Sequence, residues 1–231
     1  MLGRLIRYLR GTQVAESQLA ETDAKDTRKS QATSVRSDEL TRVLSRISEA
    51  RARGDLEGAK AFLETALGQY PDDPVLNLRA GEIWMLSADA EQALDFFRLA
   101  LYYDGTLFEA CDGLVAALTK LGRGGEISKV LESFLQRNPM HVRASISLAD
   151  YWYTRGQHAM VVTLLEPLMI QVPVDRGVAN LLGLVLGREL GEFDRSEKYL
   201  RMALMQDPNW LPALTNLGWI LLEQGRTPEG R

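Results

Sequence analysis

The chain has 231 residues, 45% apolar and 25% charged, the balance of a soluble folded protein with one compact domain or one elongated array. Its net charge of −4 argues against a nucleic-acid partner, because neutralising phosphates needs a basic face. One cysteine, Cys111, excludes an internal disulfide and a thiolate metal site, and two histidines, His141 and His158, are too few for most metal constellations. No metal or cofactor is expected, and this composition points to a reducing, cytoplasmic setting. No run approaches about 20 consecutive apolar residues, the length of a transmembrane helix.

Residues 1–36 form the first segment, expected to be flexible. Within residues 1–10, Leu2, Leu5, Ile6 and Leu9 share one face of a short helix, with Arg4, Arg7 and Arg10 toward the other. Such a basic amphipathic helix suits an anionic membrane or a partner surface, or simply caps the first repeat. The arginines interrupt the apolar run that a signal peptide needs. Residues 11–36 hold few large apolar side chains and bury too little to offset chain entropy.

From residue 37 the chain reads as a folded array to 231. Ser37 reads as a helix N-cap, with Asp38 and Glu39 in the first turn and Leu40, Val43, Leu44, Ile47 and Ala50 at helical spacing. Then a period of 34 residues sets in. It aligns Gly54, Ala88, Gly122 and Gly156; Ala59, Ala93, Ile127 and Val161; Ala66, Ala100, Phe134 and Leu168; and Pro71, Gly105, Pro139 and Pro173. Each unit is helix, turn, helix, turn, with glycine ending the first helix and proline the second. The repeats run about Leu40–Asp73, Pro74–Leu107, Phe108–His141, Val142–Val174 and Pro173–Asp207. The fifth is one residue longer: Gly191 lies 35 after Gly156 and Pro208 lies 35 after Pro173. A sixth begins near Trp210. The expected fold is all-α, a right-handed α-solenoid of about five and a half helix-turn-helix repeats.

Small residues such as Ala59, Ala93 and Gly81 mark close helix crossings. Trp84, Phe97, Trp152 and Leu165 fill the space between helix pairs. Phe134 and Leu168, bulky in a column of alanines, predict an altered crossing around the third and fourth repeats. Cys111 reads as a small buried apolar residue. His141 and His158 read as exposed loop residues. Gly122-Arg-Gly124-Gly125 lacks the lysine and spacing of a phosphate loop and reads as a turn. No acid/base pair can be nominated, so an enzyme is not expected.

Ala80-Gly81, Trp84, Ala93, Phe97, Ala100-Leu101 and Gly105, with Asn216-Leu217-Gly218 and Gly225 in the last repeat, resemble the tetratricopeptide repeat. The resemblance covers roughly residues 40–231. It departs at Gly105, where the pattern has proline, and at Phe134, Leu168, Ile127, Val161 and Ser196, where it has small residues. It implies an inner groove lined by the first helix of each repeat. Carried over by position, the groove residues are Leu78, Glu82, Met85, Glu109, Asp112, Arg143, Ile146, Asp150, Tyr153 and Trp219. Glu82, Glu109, Asp112 and Asp150 make its centre acidic; Leu78, Met85, Ile146 and Tyr153 give apolar footholds. The implied function is a protein-interaction scaffold that takes a basic and apolar peptide.

Chaperone-binding members hold a carboxylate with basic residues and asparagine where this chain has Leu44, Ser48, Glu82, Asp112 and Ala116, so that clamp is absent. The asparagine ladder of O-linked N-acetylglucosamine transferases is represented only by Asn216 and, near it, Asn180. The last helix bears Leu214, Leu217, Trp219, Ile220, Leu221 and Leu222, apolar nearly all round. That implies a continuation into a longer protein or self-association through this end. Two alternatives follow: the recruiting region of a larger glycosyltransferase, and a membrane-peripheral secretion or pilus assembly factor.

Overall fold

The computed structural model describes residues 37–170 and 175–226. The expectations for residues 1–36 lie outside these. Among the described residues every regular element is helical, and the chain is an α-solenoid of helix-turn-helix repeats. It divides into two units, Met1–Pro71 and Asp72–Arg231.

In the first unit α1 occupies residues 37–52 and α2 runs Leu56–Gln69. Residue 37 is already helical, so Ser37 is not the cap; its carbonyl accepts from Thr41 Oγ1 at 2.8 Å. Ile47 and Ala50 of α1 and Ala59, Leu63 and Ala66 of α2 are buried. The Arg46 guanidinium lies 4.2 Å from the Phe62 ring centre, and Tyr70 donates to Glu39 at 2.7 Å, tying the two helices together.

The second unit contains α3 (Pro74–Leu86), α4 (Ala90–Tyr103), α5 (Phe108–Lys120), α6 (Ile127–Arg137) and α7 (Val142–Tyr153). They are followed by α8 (His158–Leu165), α9 (Arg176–Leu184), α10 (Phe193–Gln206) and α11 (Leu211–Glu223). Each helix packs against the next in sequence. Starts are set by carboxylates: Asp73 accepts from the Val75 and Leu76 amides with Pro74 in the first turn, Asp89 from Gln92 and Asp175 from Val178. At α7 the cap is His141, whose Nδ1 accepts from the Ala144 amide at 3.1 Å. Its ring packs against Phe108 and Phe134, at 4.6 and 5.2 Å between centres. The expected exposed loop histidine is thus a half-buried cap, because both aromatic neighbours come from other elements of the third repeat.

The ends of the first helices follow the glycine column. Gly54, Gly122, Gly156, Gly191 and Gly225 all take positive φ, between 68° and 74°. At Gly122 the amide bonds back to Thr119 and the next amide, Arg123, to Leu118, the paired closure that satisfies free carbonyls at a helix end. Ala88 holds the same column at φ 63°, with the same two bonds, to Met85 and from Asp89 to Trp84. A Cβ in this conformation is strained. Ala88→Gly is therefore expected to raise stability by about 0.5–1 kcal/mol, after deducting glycine's greater unfolded-state freedom. Chemical denaturation of the two proteins checks it; a less stable variant contradicts it.

The extra residue of the fifth repeat has a visible consequence. Behind α9 the helix widens into a π turn at Val185–Glu189, with the Leu190 amide reaching back five residues to Val185. The insertion is absorbed there, and Gly191 still ends the helix as its counterparts do. The fourth repeat departs in the opposite direction. Its second helix stops at Leu165, and Glu166–Ile170, containing Pro167, continues as a tighter 3₁₀ segment.

The core forms where glycine admits a large neighbour. Phe97, 2% exposed, lies between Gly81 and Gly113; a Cβ on either would stand 2.5 Å from its ring carbons. Gly183 receives Leu200 in the same way, and Gly187 receives Ile220. Ser196, in an alanine column, is buried and donates to the Gly183 carbonyl at 2.6 Å. Phe134 is buried edge-on against Phe108, ring centres 5.7 Å apart. Cys111 is fully buried, and burial pushes its thiol up to about 12, so it is an inert core residue.

Candidate partner-binding groove

Contacts across successive repeats bring the first helices α5, α7, α9 and α11 side by side. Arg143 of α7 reaches Glu109 of α5 at 3.7 Å, and its guanidinium lies 4.6 Å from the Phe108 ring centre. Tyr153 of α7 donates to Glu189 of the π turn at 2.9 Å. Asn216 of α11 donates to Asn180 of α9 at 3.0 Å. The Arg188 guanidinium stands 5.1 Å from the Trp219 ring centre, and Phe193 meets the same ring edge-on. At α3, the Met85 carbonyl accepts from Lys120 of α5 at 3.3 Å.

Leu78 is a correction. It is only 3% exposed and belongs to the core cluster with Phe97, Leu94 and Cys111, so it offers no foothold. The reason is that α3 packs against both α4 and α5. Leu76, Leu78, Ala80 and Ile83 are all buried, and the helix has no clean apolar stripe from which to read its exposed side. Met85, Ile146 and Tyr153 are half-buried and pack on the core with part of each side chain at the surface.

The acidic centre is also less charged than the sequence implies. Glu82 pairs with Arg79 at 2.7 Å, and Glu109 faces Arg143. Asp112 and Asp150 are exposed, with no cation within ion-pair distance among the described residues. Burial of part of its surroundings pushes the Asp150 carboxyl above the ordinary range. Ile146 and Tyr153 stand one turn either side of it on α7.

A raised carboxyl weakens the fold above its folded pKa and leaves it untouched below its unfolded value near 3.8. Asp150→Asn is therefore expected to stabilise slightly at neutral pH, by about 0.2–0.5 kcal/mol given the exposure of the group. The gain disappears as pH falls toward 3.8. Paired denaturation curves at neutral and acid pH check this; a gain that persists in acid contradicts it.

Glu189 and His158 are missing from the sequence-derived set. The His158 ring lies 5.4 Å from that of Tyr153, and its Nδ1 stands 3.7 Å from Glu189. His158 is thus partly covered rather than an open loop residue. The signal was the 35-residue step: the added residue creates the π turn that carries Glu189 to Tyr153. The Tyr153 phenol is pushed up by burial and by the neighbouring Glu189 carboxylate, so it stays protonated and donating.

Among the described residues no group of His, Cys, Asp and Glu is placed to hold a metal ion. No described helix is long and apolar enough to cross a membrane.

Residues 50–118 match the tetratricopeptide repeat family model. Solved structures share the fold. MamA superposes with a TM-score of 0.56 at 20% identity, over 73% of this chain and 91% of that one. The pilF protein of Pseudomonas aeruginosa gives 0.60 at 17%, over 82% and 87%. YrrB, described as a tetratricopeptide protein with an unusual peptide-binding site, gives 0.55 at 18%, over 73% and 87%. The comparison with curated proteins returned no match.

Proposed function

We propose that the chain is a non-enzymatic protein-interaction scaffold whose first helices take a segment carrying basic and apolar side chains. One observation carries the reading: Asp150 holds an exposed carboxylate that has no counter-charge among the described residues, disfavoured by its surroundings, between the apolar Ile146 and Tyr153. A cation arriving from a partner would relieve that carboxylate, and the flanking side chains would accept apolar groups. Asp112 adds attraction along the same row of helices. Glu82, Glu109, Arg143, Met85 and Trp219 complete the surface as the rim of the contact, with the charged pairs there contributing little affinity.

Affinity capture followed by mass spectrometry tests this, comparing the natural chain with Glu82→Lys/Asp150→Lys. A partner retained by the first and lost by the second supports the groove. Identical partner sets remove it.

A second reading has one observation behind it. The bonded Asn180–Asn216 pair sets two asparagines next to each other on successive first helices, the beginning of an asparagine ladder. Under this reading the array recruits substrates for a larger glycosyltransferase. A coding sequence continuing beyond Arg231 into a transferase domain would favour it. The membrane-peripheral alternative rests on residues 1–10 and is tested by vesicle flotation with and without them. Self-association is supported by Leu211, Leu214 and Leu222, which α11 leaves exposed.

A further inference from the structure

On the other side of the repeats, a cleft of about 550 Å³ opens between the second helices α4 and α6. Leu101 and Tyr102 of α4 form one wall and Val130 and Phe134 of α6 the other, with Leu114 of α5 between them. The lining is mainly apolar, and Tyr102 stands 77% exposed at its mouth.

The rim has the opposite charge to the groove. Arg98, Lys129 and Arg137 all border the cleft, against one carboxylate, Glu126. That carboxylate is already committed. Arg123 holds it in a two-pronged contact, at 2.7 and 3.0 Å, and keeps its proton affinity below the usual range. Arg98 lies 3.6 Å from Asp95 and 3.9 Å from Glu126, so the uncompensated charge of the rim rests on Lys129 and Arg137. The cleft therefore presents an excess of positive charge on a chain whose net charge is −4.

Two departures from the repeat pattern build it. Phe134 stands in the column that holds Ala66 and Ala100, and its ring supplies apolar wall. Gly105 stands where other repeats have proline. A Cβ there would come 2.9 Å from Arg137 Nη1, so glycine leaves room for the Arg137 head to lie against this turn. Asn138 clips the two repeats together by donating to the Gly105 carbonyl at 2.9 Å.

From this lining and charge we propose that the α4–α6 cleft is a second docking site, taking an acidic segment that inserts a large apolar side chain between Leu101 and Val130 and sets carboxylates against Arg98, Lys129 and Arg137. The cleft's volume accommodates an aromatic or leucine side chain together with its flanking backbone. Charge complementarity selects acidic flanks and rejects basic ones. The chain would then hold two partners of opposite charge on opposite helices of the same repeats, with neither competing for the other's contacts. This inference stands independently of the groove.

The test uses two fluorescein-labelled decapeptides, one alternating Glu and Leu around a central Phe, the other with Lys in place of every Glu. Anisotropy is read on the natural chain, on Lys129→Glu/Arg137→Glu, on Val130→Trp, which fills the cleft, and on Glu82→Lys/Asp150→Lys. The acidic peptide should bind, more weakly as salt rises. Its affinity should drop about tenfold or more in the charge-reversed variant and in the filled one, and remain unchanged in the groove variant. Lys129 and Arg137 are exposed, so the charge-reversed variant keeps its core and decides the matter if Val130→Trp fails to fold. Absence of acidic-peptide binding up to about 1 mM overturns the proposal. Equal binding of the basic peptide, or indifference to both cleft variants, does so too. So does binding confined to vesicles of anionic phospholipid added in parallel. A groove that fails while the acidic peptide binds leaves this site standing.

Discussion

Replacing Phe97 by alanine is expected to destabilise the second unit by about 3–5 kcal/mol, the range for removing a fully buried aromatic ring. The ring is 2% exposed and belongs to the core that runs from α3 to the π turn. Two glycines, one on α3 and one on α5, give up their side chains to admit it. The same geometry predicts a sign change. Gly81→Ala or Gly113→Ala in the natural chain forces a methyl to within 2.5 Å of the ring and should cost about 1–3 kcal/mol. With Phe97→Ala already made, the methyl enters the vacated space, and alanine's helix preference of about 1 kcal/mol over glycine adds to the gain. The second substitution should then stabilise. A double-mutant cycle by denaturant unfolding measures this coupling. Simple additivity would mean that the two glycines do not make room for Phe97.

Gly187→Val is expected to cost about 3 kcal/mol, at the upper end of overpacking penalties. Gly187 is buried inside the π turn, and a Cβ there would stand 2.0 Å from Ile220 Cδ1 and 2.7 Å from Ser196 Oγ. Ile220 is 1% exposed and Ser196 is held by the Gly183 carbonyl, so neither can move aside freely. The loss should fall on α10 and α11, seen as faster amide exchange there and not in α4 or α5. A valine variant as stable as the natural chain would show that the π turn relaxes around the new side chain.

The fold was legible because its signals are local and repeated. The glycine column required positive φ, and the structure has it at each of those positions, including at Ala88 where no glycine stands. Gly81 reads as a close helix crossing and Phe97 as a filler between helix pairs by size, but that one receives the other shows only in the packing. The site was harder. Positional transfer puts Leu78 on the surface, and helix α3, with several apolar faces, offers no amphipathic stripe to correct the register. His141 and His158 depend on Phe108 and Glu189, which are tens of residues away in sequence, and no spacing rule joins them. The extra residue of the fifth repeat was countable, but not the turn that would absorb it. Pro167 could have announced the short α8. The α4–α6 cleft exists only once two second helices are packed side by side.

Methyl-resolved NMR of the natural chain, titrated with the Lys-containing decapeptide, tests the groove most directly. The predicted result is movement of the Ile146 and Met85 methyl signals, abolished by Asp150→Lys, with Leu101 and Val130 still. Movement confined to Leu101 and Val130, or no movement at peptide concentrations near 1 mM, where binding is weaker than about −4 kcal/mol, would contradict a peptide-binding groove on the first helices.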